Sequence, residues 1–300
     1  MKTALPVAPV TAFAVAALGI ALFSGMDAVM KGLVLAIGAY NALLWRFGAQ
    51  TLLSAAVYLP RRPGLPPRTT MRLHLLRGIV AAVMAPLFFW GLARVPMAQA
   101  IALAFIAPII ALFLAALILK ERVPRGSVIA CVMAVGGVAL ILTGQARAEM
   151  GEGALAGTIA ILASAVCYAF NIILMRAQSQ VAGPTEVTFW QSLIVTAVFL
   201  LAAPWMLVVP SGIHAPMLLL AAVLAALSLL ALAWAYAHGS ASYLAPTEYT
   251  GFVWAALFGW LVFGEVLSPW TLAGAALIVA GCFIAARGKP VSIPNIEAAP

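Results

Sequence analysis

Charge is what this chain of 300 residues has least of: Asp, Glu, Lys and Arg together make up 8% of it. A soluble domain spends about a quarter of its residues on charge, so this sequence cannot clothe a water-facing surface of its own. Apolar residues fill the place, at 65% of the chain and a mean hydropathy of +1.13. Catalytic signatures are lacking as well. There is no G-x-x-x-x-G-K-[ST] phosphate loop, no H-E-x-x-H, no G-x-S-x-G and no C-x-x-C. That speaks against a P-loop ATPase, a zinc peptidase and a nucleophile-elbow hydrolase, and leaves the enzyme classes without a foothold. Cysteine is sparse: Cys131, Cys167 and Cys282 lie inside apolar segments without ligand spacing, which excludes a disulfide framework. His74, His214 and His238 fall near segment ends, again without metal spacing, so neither a metal nor another cofactor is expected. The net charge of +8 sits in short gaps between apolar runs. It does not form the solvated basic face with interleaved aromatics that nucleic acid would need.

What is present is a succession of apolar runs. "IALAFIAPIIALFLAALILKE" (101–121) is long enough to cross about 30 Å of hydrocarbon as a helix, and helices are the default because lipid cannot satisfy open backbone. Gly, Pro and charge clusters divide the chain into ten candidate spans: 10–31, 38–59, 72–93, 97–119, 126–143, 153–176, 186–208, 214–237, 243–264 and 270–287. The first has the look of a signal peptide, but it runs on to Asp27 and Lys31 without a small-residue cleavage site and is counted as a span. With a cytoplasmic N-terminus, twelve Lys and Arg lie on the inner side. Only three, Lys31, Arg94 and Arg147, lie on the outer side, and Arg46 falls inside a span. The expectation is an all-α integral membrane protein of the bacterial inner membrane, multi-pass, with both termini cytoplasmic.

The sequence also matches itself at an offset of 144: Trp90 falls on Trp234, Pro60 on Pro204, Gly137 on Gly281, Asp27 on Asn171 and Glu121 on Glu265. This divides the chain into a first repeat over 1–145, a second over 146–288 and a disordered tail over 289–300. Five spans per unit is an odd number, so the second copy enters from the opposite side. Ten helices as two inverted five-helix repeats is an arrangement typical of secondary transporters.

Each half ends on the same pattern, "ALILKERVPRGSVIACVMAVGGVALIL" and "GWLVFGEVLSPWTLAGAALIVAGCFIA": apolar helix, Glu, short turn, helix of small residues. In this the chain resembles the ten-span EamA branch of the drug/metabolite transporter superfamily, and within it the YddG-type exporters of amino acids. The resemblance implies a central cavity enclosed by spans 1–4 and 6–9, with spans 5 and 10 packed at one side. It also implies a small-molecule substrate, an amino acid or similar metabolite, moved outwards by alternating access. The oligomeric state stays open between monomer and homodimer; the alternatives are an importer or exchanger of another small metabolite, such as a vitamin, nucleoside or nucleotide-sugar derivative, and a non-transporting membrane scaffold.

Ionisable and polar groups within spans are costly and are candidates for function by default. Ile20, Ser24, Asp27 and Lys31 share one helix face, and Ser164, Tyr168, Asn171 and Met175 occupy the matching positions of the second repeat. Such stripes line a cavity or glue helices together. Arg46, which shares a face with Gln50, can pair with Asp27 or receive a substrate carboxylate. Arg77 and Glu248 lie inside the ends of their spans, where Arg77 can also snorkel to the headgroups. Gln99, Trp190 and Gln191 complete the candidate lining. Trp90 and Trp234 read as interface anchors, and Pro108 and Pro246 as breaks in spans 4 and 9. Glu121 and Glu265 are expected to brace turns, with Ser268 capping the helix that follows Glu265.

Overall fold

A chain this apolar must satisfy its backbone within each segment, and helices do so. The computed structural model describes residues 9–61, 64–118, 125–147, 153–238 and 247–287; helices connected by turns make up these residues, and no strand occurs among them. The helices are α1 (Pro9–Tyr58), α2 (Arg68–Leu92), α3 (Met97–Ala104), α4 (Ala107–Ile118), α5 (Arg125–Arg147), α6 (Ala154–Ser179), α7 (Pro184–Met206), α8 (Ala215–His238), α9 (Thr250–Phe263) and α10 (Pro269–Arg287). Five stretches are long and apolar enough to cross a membrane: Val10–Arg61, Arg68–Leu92, Ala154–Met175, Pro184–Met206 and Gly212–Leu232. Met97–Ala111, Cys131–Gly144, Thr250–Phe263 and Pro269–Gly281 are shorter apolar helical stretches.

Local chemistry explains where the segments break. Inside α1, Gly38 holds φ 78° and ψ 157°, outside the helical region, and divides α1 into arms over 9–37 and 39–58. The expected fourth span is in two pieces. Pro108 brings no N–H and its ring crowds the carbonyl four residues back, so α3 stops at Ala104 and α4 restarts after a turn at Phe105 and Ile106. Pro184 opens α7 with Glu186 in its first turn. Ser268 Oγ accepts from the backbone N–H of Trp270 at 3.2 Å, the expected cap of α10.

Both arms of α1 lie at the centre of the packing, against α7, α8 and α9, while α2 packs on α6 and α7. Tyr40 donates to the carbonyl of Phe199 at 2.7 Å, and the indole of Trp45 donates to that of Val208 at 3.1 Å. Asn41 Oδ1 in turn accepts from the Val208 amide at 2.9 Å, tying the second arm to the end of α7. These bonds, the α2–α3 turn and the α9–α10 turn gather at one end of the bundle. The start of α2, the end of α6 and the start of α7 gather at the other. The surface carries large apolar side chains such as Leu52, Leu201, Trp205 and Val266, as a hydrocarbon-facing surface does.

α5 and α10 pack through small residues, as their sequence suggests. A Cβ built on Gly137 would lie 2.6 Å from the carbonyl of Gly274 and 2.5 Å from Ile278 Cγ1. One built on Gly274 would lie 2.6 Å from the carbonyl of Gly137. Backbone atoms cannot yield to such contact, so Gly137→Leu should cost about 1–3 kcal/mol or more. A fall of several degrees in the thermal unfolding midpoint of the detergent-solubilised protein is expected. Gly136→Ala, whose Cβ meets only Leu277 at 3.3 Å, should shift it little. Equal midpoints for the two variants would contradict this packing.

Candidate functional site

The first polar stripe folds as its spacing implies: Ile20, Ser24, Asp27 and Lys31 are all buried along one face of the first arm of α1. Lys31 cannot leave its ammonium bare there. Its Nζ donates to Glu265 Oε1 at 2.5 Å and to the carbonyl of Val95 at 2.7 Å, and it lies 5.2 Å from the ring of Phe263. Glu265 Oε2 takes the backbone N–H of Met97 at 2.7 Å. Gly264, left-handed at φ 65°, ends α9 and turns the chain so that Glu265 points back. The expected brace is therefore larger than one turn: Glu265 joins α1, the α2–α3 turn and the α9–α10 turn. Its repeat counterpart, Glu121, lies outside the described residues.

Asp27 sits one turn beyond Lys31, deeper in the bundle. Only 1% of it is exposed, and neither carboxylate oxygen has a hydrogen-bond partner among the described residues. Arg46, on the second arm, is the charge that acts on it, yet the two do not close into an ion pair. Arg46 Nε also lacks a partner, and the guanidinium lies 4.5 Å from the ring of Phe47. Gln50 Oε1, one turn further along the second arm, is buried and unpartnered too, as are Gln99 Nε2, Trp190 Nε1 and Ser228 Oγ. Buried polar atoms are nearly always hydrogen-bonded, so the unpartnered atoms on α1, α3, α7 and α8 stand out among the described residues. An apolar cleft of about 330 Å³, lined by Ala39, Tyr40, Pro86, Leu87, Trp90, Phe199 and Met206, offers a charged solute no comparable partner.

A second cluster is closed. Arg77 does not snorkel: it is buried, its Nε donates to Asn171 Oδ1 at 3.1 Å and its Nη1 to Gln178 Oε1 at 2.5 Å. Gln178 Nε2 meets His74 Nδ1 at 2.5 Å, and His74 Nε2 meets Glu186 Oε1 at 3.2 Å. The imidazole also stacks on the indole of Trp190, 6.0 Å between centroids and 21° between planes. Three helices, α2, α6 and α7, contribute to this chain of bonds.

The remaining candidates separate. Ser164 is buried but donates to the carbonyl of Met84 at 3.0 Å, a bond between α6 and α2. Tyr168 is 38% exposed, within electrostatic reach of Arg77, and Met175 is 41% exposed, so the second stripe is not buried along its length as the first is. Glu248 is exposed and precedes α9 rather than lying within it. The hydroxyl of Thr250 donates to the carbonyl of Thr247 at 2.6 Å; Pro246 lies outside the described residues. His74, Gln178, Glu186 and Ser228 were not among the residues that spacing singled out. His74 precedes Arg77 by three and Gln178 follows Asn171 by seven, both same-face spacings, which is the signal that points to them.

The chain matches the EamA-like transporter family twice, at residues 11–143 and 155–287. It is 32% identical over 273 residues to the pseudopaline exporter CntI of Pseudomonas aeruginosa, across 89% of this chain and 93% of that one. A riboflavin transporter of Rhizobium johnstonii is 29% identical over 274 residues, across 89% and 88% of the two chains. A riboflavin transporter of Vibrio cholerae is 32% identical over 238 residues, across 77% and 78%. A solved crystal structure shares the fold with a TM-score of 0.62 at 20% identity, over 94% of this chain and 100% of the other. The chain is a multi-pass membrane transporter and belongs to the EamA-like transporter family of the drug/metabolite transporter superfamily.

Proposed function

We propose that this transporter moves small zwitterionic metabolites, amino acids among them, outwards across the inner membrane by alternating access between two inverted five-span repeats. The observation that carries the substrate class is the buried Asp27 carboxylate with two unpartnered oxygens, facing the Arg46 guanidinium without pairing to it. Leaving ionised groups in a low-dielectric interior costs several kcal/mol each unless partners are supplied. A solute carrying both an ammonium and a carboxylate supplies both: the ammonium to Asp27, the carboxylate to the planar fork of Arg46. Gln50, Gln99, Trp190 and Ser228 hold further unmet hydrogen-bonding capacity for its polar atoms. The positive-inside distribution of Lys and Arg supports cytoplasmic termini. Among the relatives, the pseudopaline exporter favours outward movement, while the riboflavin transporters favour a second reading, a neutral vitamin-like solute hydrogen-bonded by the same polar atoms.

Counterflow in proteoliposomes separates these readings. Labelled aromatic and small amino acids should exchange above empty-liposome controls. Asp27→Asn should slow them at least about tenfold, the value of one charge-assisted hydrogen bond, while sparing N-acetylated analogues. Arg46→Gln should do the reverse, sparing the decarboxylated amines. Movement of riboflavin alone would replace the zwitterion by the second reading, and movement of no solute would remove both.

Alternating access requires the Lys31–Glu265–Met97 junction to open once per cycle. In a background with Cys131, Cys167 and Cys282 replaced by Ala, Ser24→Cys should react slowly with a water-soluble maleimide. Adding Glu265→Gln, which removes the ion pair but keeps an acceptor for Met97, should speed that reaction by about tenfold. An unchanged rate would mean that this junction does not gate access to the stripe.

A further inference from the structure

We propose that His74 and Glu186 form a proton-binding site coupled to the transport cycle, with Arg77 acting on it through the side-chain amide of Gln178. The inference rests on the transporter reading but concerns residues outside the Asp27–Arg46 pair. Arg77 fixes the logic, because a guanidinium keeps its charge and can only donate. The Gln178 atom that meets Arg77 is therefore the amide oxygen, and its NH2 is turned to His74 Nδ1. An amide NH2 can only donate, so Nδ1 is an acceptor without a proton. The imidazole proton then sits on Nε2 and is donated to the Glu186 carboxylate. With Arg77 engaged on Gln178, His74 is locked as the neutral Nε2–H tautomer.

A second proton reaches Nδ1 only if Gln178 turns its oxygen to the ring, and that turn would aim NH2 at Arg77, donor against donor. Arg77 must first take another acceptor. A solute carboxylate that reaches Arg77 at a different stage of the cycle from its seat on Arg46 is such an acceptor, and it would release Gln178 to rotate. His74 Nδ1 then takes up one proton from water, and the imidazolium formed faces the Glu186 carboxylate. When the solute leaves, Arg77 reclaims the Gln178 oxygen and the Nδ1 proton is expelled. Binding of an anionic group and uptake of one proton are thereby linked by a side-chain rotation. Groups around the ring bear on this alone: Arg77 from α2, Gln178 from α6, and Glu186 and Trp190 from α7. Among the described residues Glu186 and Arg77 are the charges that act on His74, and Tyr168 of α6 acts on Arg77. From α1, the uncharged Tyr58 stacks on Phe189 rather than on the imidazole.

The test needs no known substrate. The full chain, labelled with 15N-histidine and placed in nanodiscs, carries three histidines, so His74→Asn assigns the resonance of interest. At pH 7 the wild-type His74 should show the Nε2–H tautomer. Gln178→Glu puts a carboxylate between the Arg77 guanidinium and His74 Nδ1, which can face it well only by taking up a proton, and should raise the imidazolium fraction at least about tenfold, one charge-assisted bond's worth. Added acetate or a carboxylate-bearing amino acid at high concentration should move the wild type the same way, and an uncharged amide should not. An Nδ1–H tautomer or an imidazolium in the wild type, or a Gln178→Glu spectrum like the wild type's, overturns the proposal. In proteoliposomes with a solute that moves, the ratio of rates with and without a pH gradient should differ from one. His74→Asn should bring that ratio to about one; an unaltered ratio overturns coupling even if the tautomer is as stated. Absence of any transported solute, with the spectra as expected, counts against the proposed function and leaves the proton site standing.

Discussion

A lysine ammonium in a hydrocarbon-embedded bundle must be answered by a carboxylate, and the answer to Lys31 comes from Glu265, 234 positions away in sequence. Much of one end of the molecule is arranged around that pair. The carbonyl of Val95 accepts a second ammonium proton, and the backbone N–H of Met97 donates to the second carboxylate oxygen. Gly264 supplies the left-handed turn that aims Glu265 inward. Three segments that share little sequence proximity are held by one ion pair with all its near partners supplied. Its strength comes from this completeness, since breaking one partner of a buried pair leaves the other charge uncompensated.

The same requirement makes the Asp27–Arg46 region conspicuous. Lys31 and Glu265 are satisfied, and Arg77, Gln178, His74 and Glu186 form a continuous chain of bonds. One turn from Lys31 the bookkeeping changes: Asp27, Arg46 and Gln50 each keep a buried polar atom with no partner. A scaffold has no reason to satisfy Lys31 and Arg77 and leave Asp27 and Arg46 bare. A transporter does, because a site whose bonds were already complete would bind nothing. Gly38 matters here through geometry. By interrupting α1 it returns the chain on a second arm, which places Arg46 within electrostatic reach of Asp27 although nineteen positions separate them.

Local periodicity carried a good part of this in the sequence, and long-range partnership carried almost none. The Ile20–Lys31 stripe was legible because four same-face positions all fall on polar or small-cavity residues, and all four are buried. The Gly137–Gly274 contact was legible because both helices are rich in Ala and Gly, which lets backbones approach closely. The second stripe misled: repeat correspondence pointed to Tyr168 and Met175, but the buried series on α6 runs Ser164, Asn171, Gln178 at intervals of seven. Position in a repeat transmits a backbone location, whereas burial depends on which helices pack against that face. Glu186 and His74 escaped for a related reason. Each alone looks like a helix-end residue, and only the packing of α2 against α6 and α7 makes them neighbours.

Comparing the halves shows which features were kept at both positions of the repeat. At an offset of 144, Trp90 and Trp234, Gly137 and Gly281, and Glu121 and Glu265 agree. The charged interior does not: Lys31 falls on Met175, Arg46 on Trp190, Arg77 on Ala221, His74 on Leu218 and Glu186 on Ala42. Packing residues serve a scaffold that works in either copy, so nothing pushes them apart. Under the proposed zwitterion reading, the site must tell an ammonium from a carboxylate and cannot be two-fold symmetric, because symmetry would offer the same group at both ends of the solute. Asp27 falls on Asn171, a match that keeps the shape while dropping the charge in the copy that meets Arg77. Loss of charge symmetry between two matching halves is therefore what the proposed zwitterionic substrate would require of a chain built as two repeats.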